Sequence, residues 1–316
     1  MAQPFAVFFP GQGSQSIGML DALAAVYPSV QQTFEEASDA LGRNLWQLVT
    51  DGPKEELDQT ENTQPIMLAA GIAVWRVWQA QMTAPATLMA GHSLGEYSAL
   101  VAAGALSFAD AVPLAADRAQ FMQSAVPAGE GAMAAVLNLT DEQVIALCAE
   151  QAQGEVLAAV NFNAVGQVVI AGTTAAVNRA LAAAKSAGAR KAMLLPVSVP
   201  SHCALMRPAA ERLAERLAEV PLTLPTVPVL HNASVTAAAS ADELRELLIK
   251  QLYSPVRWVE TVRAVTAQGI TAALECGPGK TLTGLTKRID DTLTMLPVFD
   301  PKTLDAALEM MTDVER

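Results

Sequence analysis

Positive charge is scarce in this chain. Its 20 lysines and arginines stand against 32 aspartates and glutamates, a formal net charge of −12. Nucleic-acid binding needs a basic footprint, so this balance argues against it. Cysteine is scarcer still. Cys148, Cys203 and Cys276 form no C-x-x-C pair and leave an odd count, which fits a reduced, cytosolic compartment. Long apolar runs are missing too. The best candidate, Ala99 to Ala116, is broken by Asp110 and Pro113, so no membrane span is expected. Met1-Ala2-Gln3-Pro4 has no basic stretch, and no signal peptide is expected. Repeats and a low-complexity tail are also absent.

Apolar residues are abundant, at 52% of 316 positions. That length and composition suit one large domain or two smaller ones, built mostly of buried helix and strand.

The chain is organised around Gly91-His92-Ser93-Leu94-Gly95. An apolar run, Ala86 to Ala90, precedes it, and a helix-like run, Glu96 to Ala103, follows. Strand, Gly-x-Ser-x-Gly, helix is the context of a nucleophile elbow. The sharp reversal strains the backbone at the serine, and glycines at 91 and 95 let strand and helix approach closely. The Ser93 hydroxyl then projects at a helix N-terminus, and the Leu94 amide points toward an oxyanion formed on an attacked carbonyl. The alternative is an ordinary tight turn.

Phe5 to Phe9 has the continuous apolar pattern of a buried parallel strand. Pro10 ends it, and Gly11-Gln12-Gly13-Ser14-Gln15 forms a glycine-rich loop. A dinucleotide fingerprint fails, because its third glycine position holds Ser16; a Walker loop fails for want of Gly-Lys-Ser/Thr. The loop either supplies a second oxyanion donor or is a plain turn. Helices are predicted over 28–41, 65–81 and 107–126, with Thr60 to Gln64 a polar lead-in to the second. The third carries Arg118 among apolar and small residues. A buried arginine needs a carboxylate, from Asp117, Glu96 or the substrate.

After the linker Pro127 to Gly131 the pattern changes. Strands are predicted at 132–137, 156–162, 167–172 and 190–195, with helices at 140–152 and 174–187. Thr140 and Gln143 form a capping-box pair. The order βαββαβ is a ferredoxin-like unit, inserted between two parts of a larger α/β domain. Ser201-His202-Cys203 then opens a helix running to about Glu219. A strand at 227–231, helices at 240–252 and 259–268, a strand at 271–275, a helix from Lys280 and a strand at 293–298 complete the chain. Strands alternating with helices imply a mostly parallel sheet.

A serine nucleophile needs a base, and there are three histidines. His92 adjoins Ser93 in the turn and is poorly placed to reach its hydroxyl. His231, at a strand end, reads as structural. His202 lies downstream on a loop, in a triad-like chain order. Cys203 is a rival nucleophile, without a second histidine well placed to activate it. No Asp or Glu stands out to orient His202, so a backbone carbonyl is the substitute.

These residues point to a family. The chain resembles the malonyl-CoA:acyl carrier protein transacylases of bacterial type II fatty-acid synthesis, from near residue 5 to about residue 298. The matching segments are Phe9 to Gln15, Thr63-Gln64-Pro65, Gly91 to Glu96, Asp117-Arg118-Ala119, Pro200 to Met206, Gln251-Leu252-Tyr253 and Glu275 to Gly279. The resemblance implies an α/β-hydrolase-like core, residues 1–127 and 198–316, with a ferredoxin-like subdomain at 128–197. It implies Ser93 as the acylated nucleophile and His202 as its base, with the Gln251 main-chain carbonyl on the other imidazole nitrogen. Gln12 and Leu94 amides would form the oxyanion hole. Arg118 would hold the malonyl carboxylate, and Gln64, Asn161 and Asn163 would line the pocket. The implied enzyme is a cytoplasmic monomer using malonyl-CoA and acyl carrier protein, with no metal or cofactor. Carrier proteins are acidic, so docking onto this acidic chain needs a basic patch; Lys185, Arg190, Lys191, Lys280, Lys287 and Arg288 are candidates. A polyketide acyltransferase, a serine hydrolase or thioesterase, and a non-catalytic carrier-protein scaffold are the rival readings.

Overall fold

The computed structural model describes residues 4–197 and 199–312. Residues Met1 to Gln3, read above for a signal peptide, and Ser198, where the later boundary of the insert was placed, lie outside the described residues. So do residues 313–316, at the end of the core segment drawn to 316.

The described residues form nine strands: β1 (Phe5–Phe9), β2 (Leu88–Gly91), β3 (Gly131–Leu137), β4 (Leu157–Ala164), β5 (Gln167–Thr173), β6 (Lys191–Leu194), β7 (Val229–Leu230), β8 (Ala272–Cys276) and β9 (Thr294–Val298). Five of them make a parallel sheet in the order β7-β2-β1-β8-β9. The other four make an antiparallel sheet in the order β4-β5-β3-β6. The mixed α/β fold with a parallel main sheet and a ferredoxin-like insert is therefore as expected.

β1 is the central strand, and its apolar run is explained by burial on both faces. Phe5, Val7 and Phe9 point into one core, while Ala6 and Phe8 point into another beneath Trp258. Helix Thr60–Gln81 packs in the first core and is buried almost throughout. It begins five residues before the expected start at Pro65. Thr60, Asn62, Thr63 and Gln64 are polar yet buried, because their side chains bond inward: Thr63 Oγ1 donates to the Leu57 carbonyl at 2.6 Å. Pro65 cannot donate to the Glu61 carbonyl, and Arg43 Nη2 takes that acceptor at 3.0 Å. A polar segment looks like a lead-in to a helix when its partners come from elsewhere in the chain.

In the insert, helices Asp141–Ala152 and Thr174–Ala184 cover one sheet face, their Leu147 and Val177 sharing a core with Val136 and Ile170 of the strands. The Thr140–Gln143 capping box forms as predicted. The insert is tied to the main body through β4: Phe162 N donates to Val256 O at 3.0 Å, and Val256 N donates to Val160 O at 2.8 Å. The pairing with β5 is irregular around Asn161, the residue that this bridge brings against the large sheet's loops.

Two local readings change. His202 lies in a turn, followed by a short 3-10 segment, Ala204–Met206, and only then by helix Arg207–Ala218. A further helix, Pro301–Thr312, closes the described chain and buries Leu304, Ala307 and Met311. Asp300 caps it, accepting from Thr303 N at 2.7 Å. No helix among the described residues is long and apolar enough to cross a membrane.

Candidate active site

β2 ends at Gly91 and helix Gly95–Ala102 begins four residues later. Between them Ser93 sits at φ +52°, in the left-handed region that few L side chains adopt. Both glycines are sterically required. A Cβ at Gly91 would stand 1.8 Å from the Gly95 carbonyl carbon, and one at Gly95 would stand 2.0 Å from Phe9 O. The turn is clamped from a third side. Asn232 Oδ1 accepts from Ser93 N at 2.7 Å, and Asn232 Nδ2 donates to Gly91 O at 2.7 Å.

His202 also has a positive φ, +66°, and its N–H donates to Leu252 O at 3.0 Å. Its Nε2 lies 2.8 Å from Ser93 Oγ, and its Nδ1 lies 2.8 Å from the Gln251 carbonyl. A carbonyl only accepts, so Nδ1 carries the proton and Nε2 presents a lone pair to the hydroxyl. Burial, reinforced by the nearby Arg118 charge, lowers the imidazole pKa to about 3. His202 is thus neutral at physiological pH, the form that accepts a proton.

The other histidines are occupied elsewhere. His92 Nε2 meets Asn163 Oδ1 at 2.8 Å, and its ring leans on Trp258. Asn163 was expected to line the pocket; it holds His92 instead and does not wall the cavity. His231 Nδ1 meets the buried Glu96 carboxylate at 2.7 Å, a structural role as read from its position. Cys203 is buried, its thiol donates to Pro200 O at 3.2 Å, and burial raises its pKa to about 11. It remains a thiol and is a poor nucleophile.

Arg118 is only 1% exposed. Its Nη1 donates to Gln64 Oε1 at 2.6 Å, and its Nη2 to Gln251 Oε1 at 2.9 Å and Ser93 Oγ at 3.3 Å. Its ring neighbour is Tyr97, 5.4 Å below the guanidinium. No carboxylate among the described residues is within ion-pairing distance. Asp117 pairs with Arg216 and Glu96 with His231, so neither protein candidate from the sequence takes the role. A buried cation held by neutral oxygens alone is an anion-binding group awaiting its anion.

These groups open onto a cavity of about 140 Å³ whose wall includes Gln12, Gln64, Leu94, Met122 and Asn161. Gln64 Nε2 rests on Met122 Sδ at 3.7 Å, and Asn161 Oδ1 is buried without a partner among the described residues. Gly11 presses on the elbow: a Cβ there would be 2.4 Å from His92 O. Gln12, the next residue, lies in the cavity wall. A larger groove of about 370 Å³, beside Asn138 to Glu142 and Arg263, is lined by no serine, cysteine or histidine among the described residues. Glu275 is buried but serves as a helix cap, accepting from Leu282 N and Thr283 N. Sequence reasoning missed the Glu96–Asn232–Gln251 network, although Glu96 adjoins the elbow and Asn232 adjoins His231.

Known proteins resemble this chain in sequence and in fold. The acyl transferase domain family matches residues 7–300. The malonyl CoA-acyl carrier protein transacylase of Salmonella typhimurium is 56% identical over 304 residues, covering 96% of this chain and 98% of that protein. Its namesake in Escherichia coli (strain K12) is 55% identical over 306 residues, covering 97% and 99%. Among solved structures, the malonyl CoA-acyl carrier protein transacylase of Coxiella burnetii superposes with a TM-score of 0.97 at 49% identity, covering 99% of each chain. A malonyl-transacylase solved with its type II PKS acyl-carrier protein gives 0.96 at 53% identity, covering 98% of this chain and 100% of that one. With a family model matched over residues 7–300 and near full-length relatives at 55–56% identity, the chain belongs to the acyl transferase domain family, among the malonyl CoA-acyl carrier protein transacylases.

Proposed function

We propose that this acyltransferase moves a malonyl group from malonyl-CoA to the phosphopantetheine thiol of acyl carrier protein, in fatty-acid biosynthesis, through a malonyl ester on Ser93. The observation that carries this reading is Arg118: a buried guanidinium with no carboxylate partner among the described residues, 3.3 Å from Ser93 Oγ. The carboxylate of a malonyl group is two bonds from the thioester carbonyl. It can therefore reach the guanidinium while that carbonyl carbon faces Ser93 Oγ. A planar fork takes a carboxylate through two N–H bonds, which an ammonium does not reproduce.

Ser93 Oγ attacks the thioester carbon and its proton passes to His202 Nε2, while the Gln251 carbonyl holds Nδ1–H. The oxyanion rests on the Gln12 and Leu94 amides. Collapse expels the CoA thiolate, which takes the proton from His202. The carrier thiol then repeats the sequence in reverse, giving a ping-pong cycle. A thioester is a reactive acyl donor, so a dyad oriented by a backbone carbonyl is sufficient, and the chemistry calls for no cofactor. All three cysteines are free and buried, which supports a reducing compartment.

For carrier docking, Arg190 and Lys191 stand exposed at the start of β6, the strand that leads into the cavity wall at Leu195 and Val197. Lys280 is exposed beside Thr281, which bonds Ser14 of the glycine-rich loop at 3.0 Å. These flank the cavity on two sides. Arg288, also a docking candidate, bonds Gln167 and the Val165 carbonyl and links helix Thr281–Ile289 to the insert.

The test is intact-protein mass spectrometry after brief mixing with malonyl-CoA, beside Ser93→Ala. One malonyl added to the parent, none to the variant, and discharge by acyl carrier protein support the reading. No adduct, or an adduct on both proteins, overturns it.

A further inference from the structure

Glu96 is fully buried, lies one turn past the nucleophile, and takes no part in the chemistry above. Its carboxylate receives three hydrogen bonds. His231 Nδ1 approaches Oε1 at 2.7 Å, and the Asn232 N–H and Gln251 Nε2 reach Oε2 at 2.8 and 2.9 Å. The Gln251 side chain is the informative partner. Its Nε2 also donates to Ser93 O at 3.0 Å, and its Oε1 accepts from Arg118 Nη2 at 2.9 Å.

An amide can sit either way round, and here the neighbours decide. A carboxylate and a carbonyl on one side admit only the NH2 end. A guanidinium on the other side admits only the oxygen. Flipping the Gln251 amide would set acceptor against acceptor and donor against donor at every contact. The carboxylate of Glu96 therefore dictates that Gln251 shows Arg118 an oxygen. The negative charge of Glu96 is also one amide away from the guanidinium, and it favours the charged form of Arg118 against burial. Had that carboxylate touched Arg118 directly, an incoming substrate would have to displace it.

We propose that Glu96 is a positioning residue for substrate selection, acting as a relayed counter-charge: through the Gln251 amide it aims and balances Arg118 while leaving the guanidinium open to the carboxylate of a dicarboxylic acyl thioester. This rests on the malonyl-transfer reading above. It extends that reading to a residue that touches neither substrate nor base.

The experiment compares the parent, Glu96→Gln, Gln251→Met and the double variant. Gln251→Met keeps the main-chain carbonyl on His202 and leaves Glu96 with His231 and Asn232, so it cuts the relay together with the Nε2 bond to Ser93 O. Three quantities are read: the ratio of kcat/KM for malonyl-CoA over acetyl-CoA, the rate at which phenylmethanesulfonyl fluoride modifies Ser93, and the thermal unfolding midpoint. Each single variant should lose about tenfold or more of the malonyl preference. The double variant should lose no more than the worse single one, because the two residues act in series. In Glu96→Gln, sulfonylation of Ser93 should stay within about threefold of the parent, since the reagent carries no carboxylate.

A folded Glu96→Gln that keeps the parent ratio overturns the proposal. Sulfonylation falling in step with malonyl transfer also overturns it, because Glu96 would then only prop the elbow. If Glu96→Gln does not fold, Gln251→Met decides, and an unchanged ratio there is equally fatal. A parent that forms no malonyl-enzyme would refute the transfer reading instead, so the two failures are distinct.

Discussion

Arg118 Nη2 stands 3.3 Å from Ser93 Oγ, a cation placed beside that hydroxyl rather than beside an acid among the described residues. That juxtaposition predicts selectivity. Arg118→Ala should lower kcat/KM for malonyl-CoA about a hundredfold, the loss of a buried charge-assisted pair worth about 2–5 kcal/mol. Acetyl-CoA, which leaves the parent guanidinium without an anion, should gain relative to malonyl-CoA. Steady-state kinetics with both thioesters check this, and an unchanged ratio would remove the clamp from the mechanism.

His202 should show no acid limb near its ordinary pKa of 6.5, because burial and Arg118 lower it to about 3. The rate of Ser93 modification by a neutral sulfonyl fluoride should stay level from about pH 7 down to about pH 5. Stability follows the same shift. The unfolded chain takes up a proton on this residue near 6.5, and the folded chain does so only near 3. The His202 contribution is thus complete above about pH 6.5 and shrinks as the pH falls toward 3. An inflection near 6.5 in the modification rate would refute the lowered value.

The positive φ of Ser93 stores backbone strain at the nucleophile. Both Ser93→Ala and Ser93→Gly should be inactive. Ser93→Gly should nonetheless resist denaturant better than Ser93→Ala by about 1 kcal/mol, because only glycine adopts that φ freely. Equal urea midpoints would show the turn to be unstrained.

Gly95→Ala should fail for a different reason. Its Cβ would meet the Phe9 carbonyl oxygen at 2.0 Å, with backbone on both sides. A loss of at least about 4 kcal/mol, or no folded protein, is expected. A variant with near-parent unfolding would mean that strand and helix can separate at the elbow.

Carrier docking is tested by reversing Lys191 and Lys280 together to glutamate. Transfer to acyl carrier protein should slow about tenfold and lose salt dependence, while acylation of Ser93 by malonyl-CoA is spared. Equal loss in both half-reactions would place the docking surface elsewhere.

Much of this molecule was legible in one dimension. Phe5 to Phe9 spells a doubly buried strand, Gly91 to Gly95 spells the elbow, and Thr140 with Gln143 marks a helix start. Each depends on residues a few positions apart. Even His202 could be reached, because three histidines leave few alternatives. Helix Thr60–Gln81 was read short because the partners of its polar first turn include Arg43, far away in sequence.

The sequence by itself determined the fold class and singled out Ser93 and His202 as candidates, since periodicity, glycine placement and composition are local properties that the chain carries into any environment. Only the tertiary structure decided how those residues are used. It turned Asn163 toward His92, committed Asp117 to Arg216, and stationed Gln251 between Glu96 and Arg118. A hydrogen bond depends on distance and direction between groups that lie tens to hundreds of residues apart. Whether a buried charge is paired, relayed or left open is settled when the chain has closed around it.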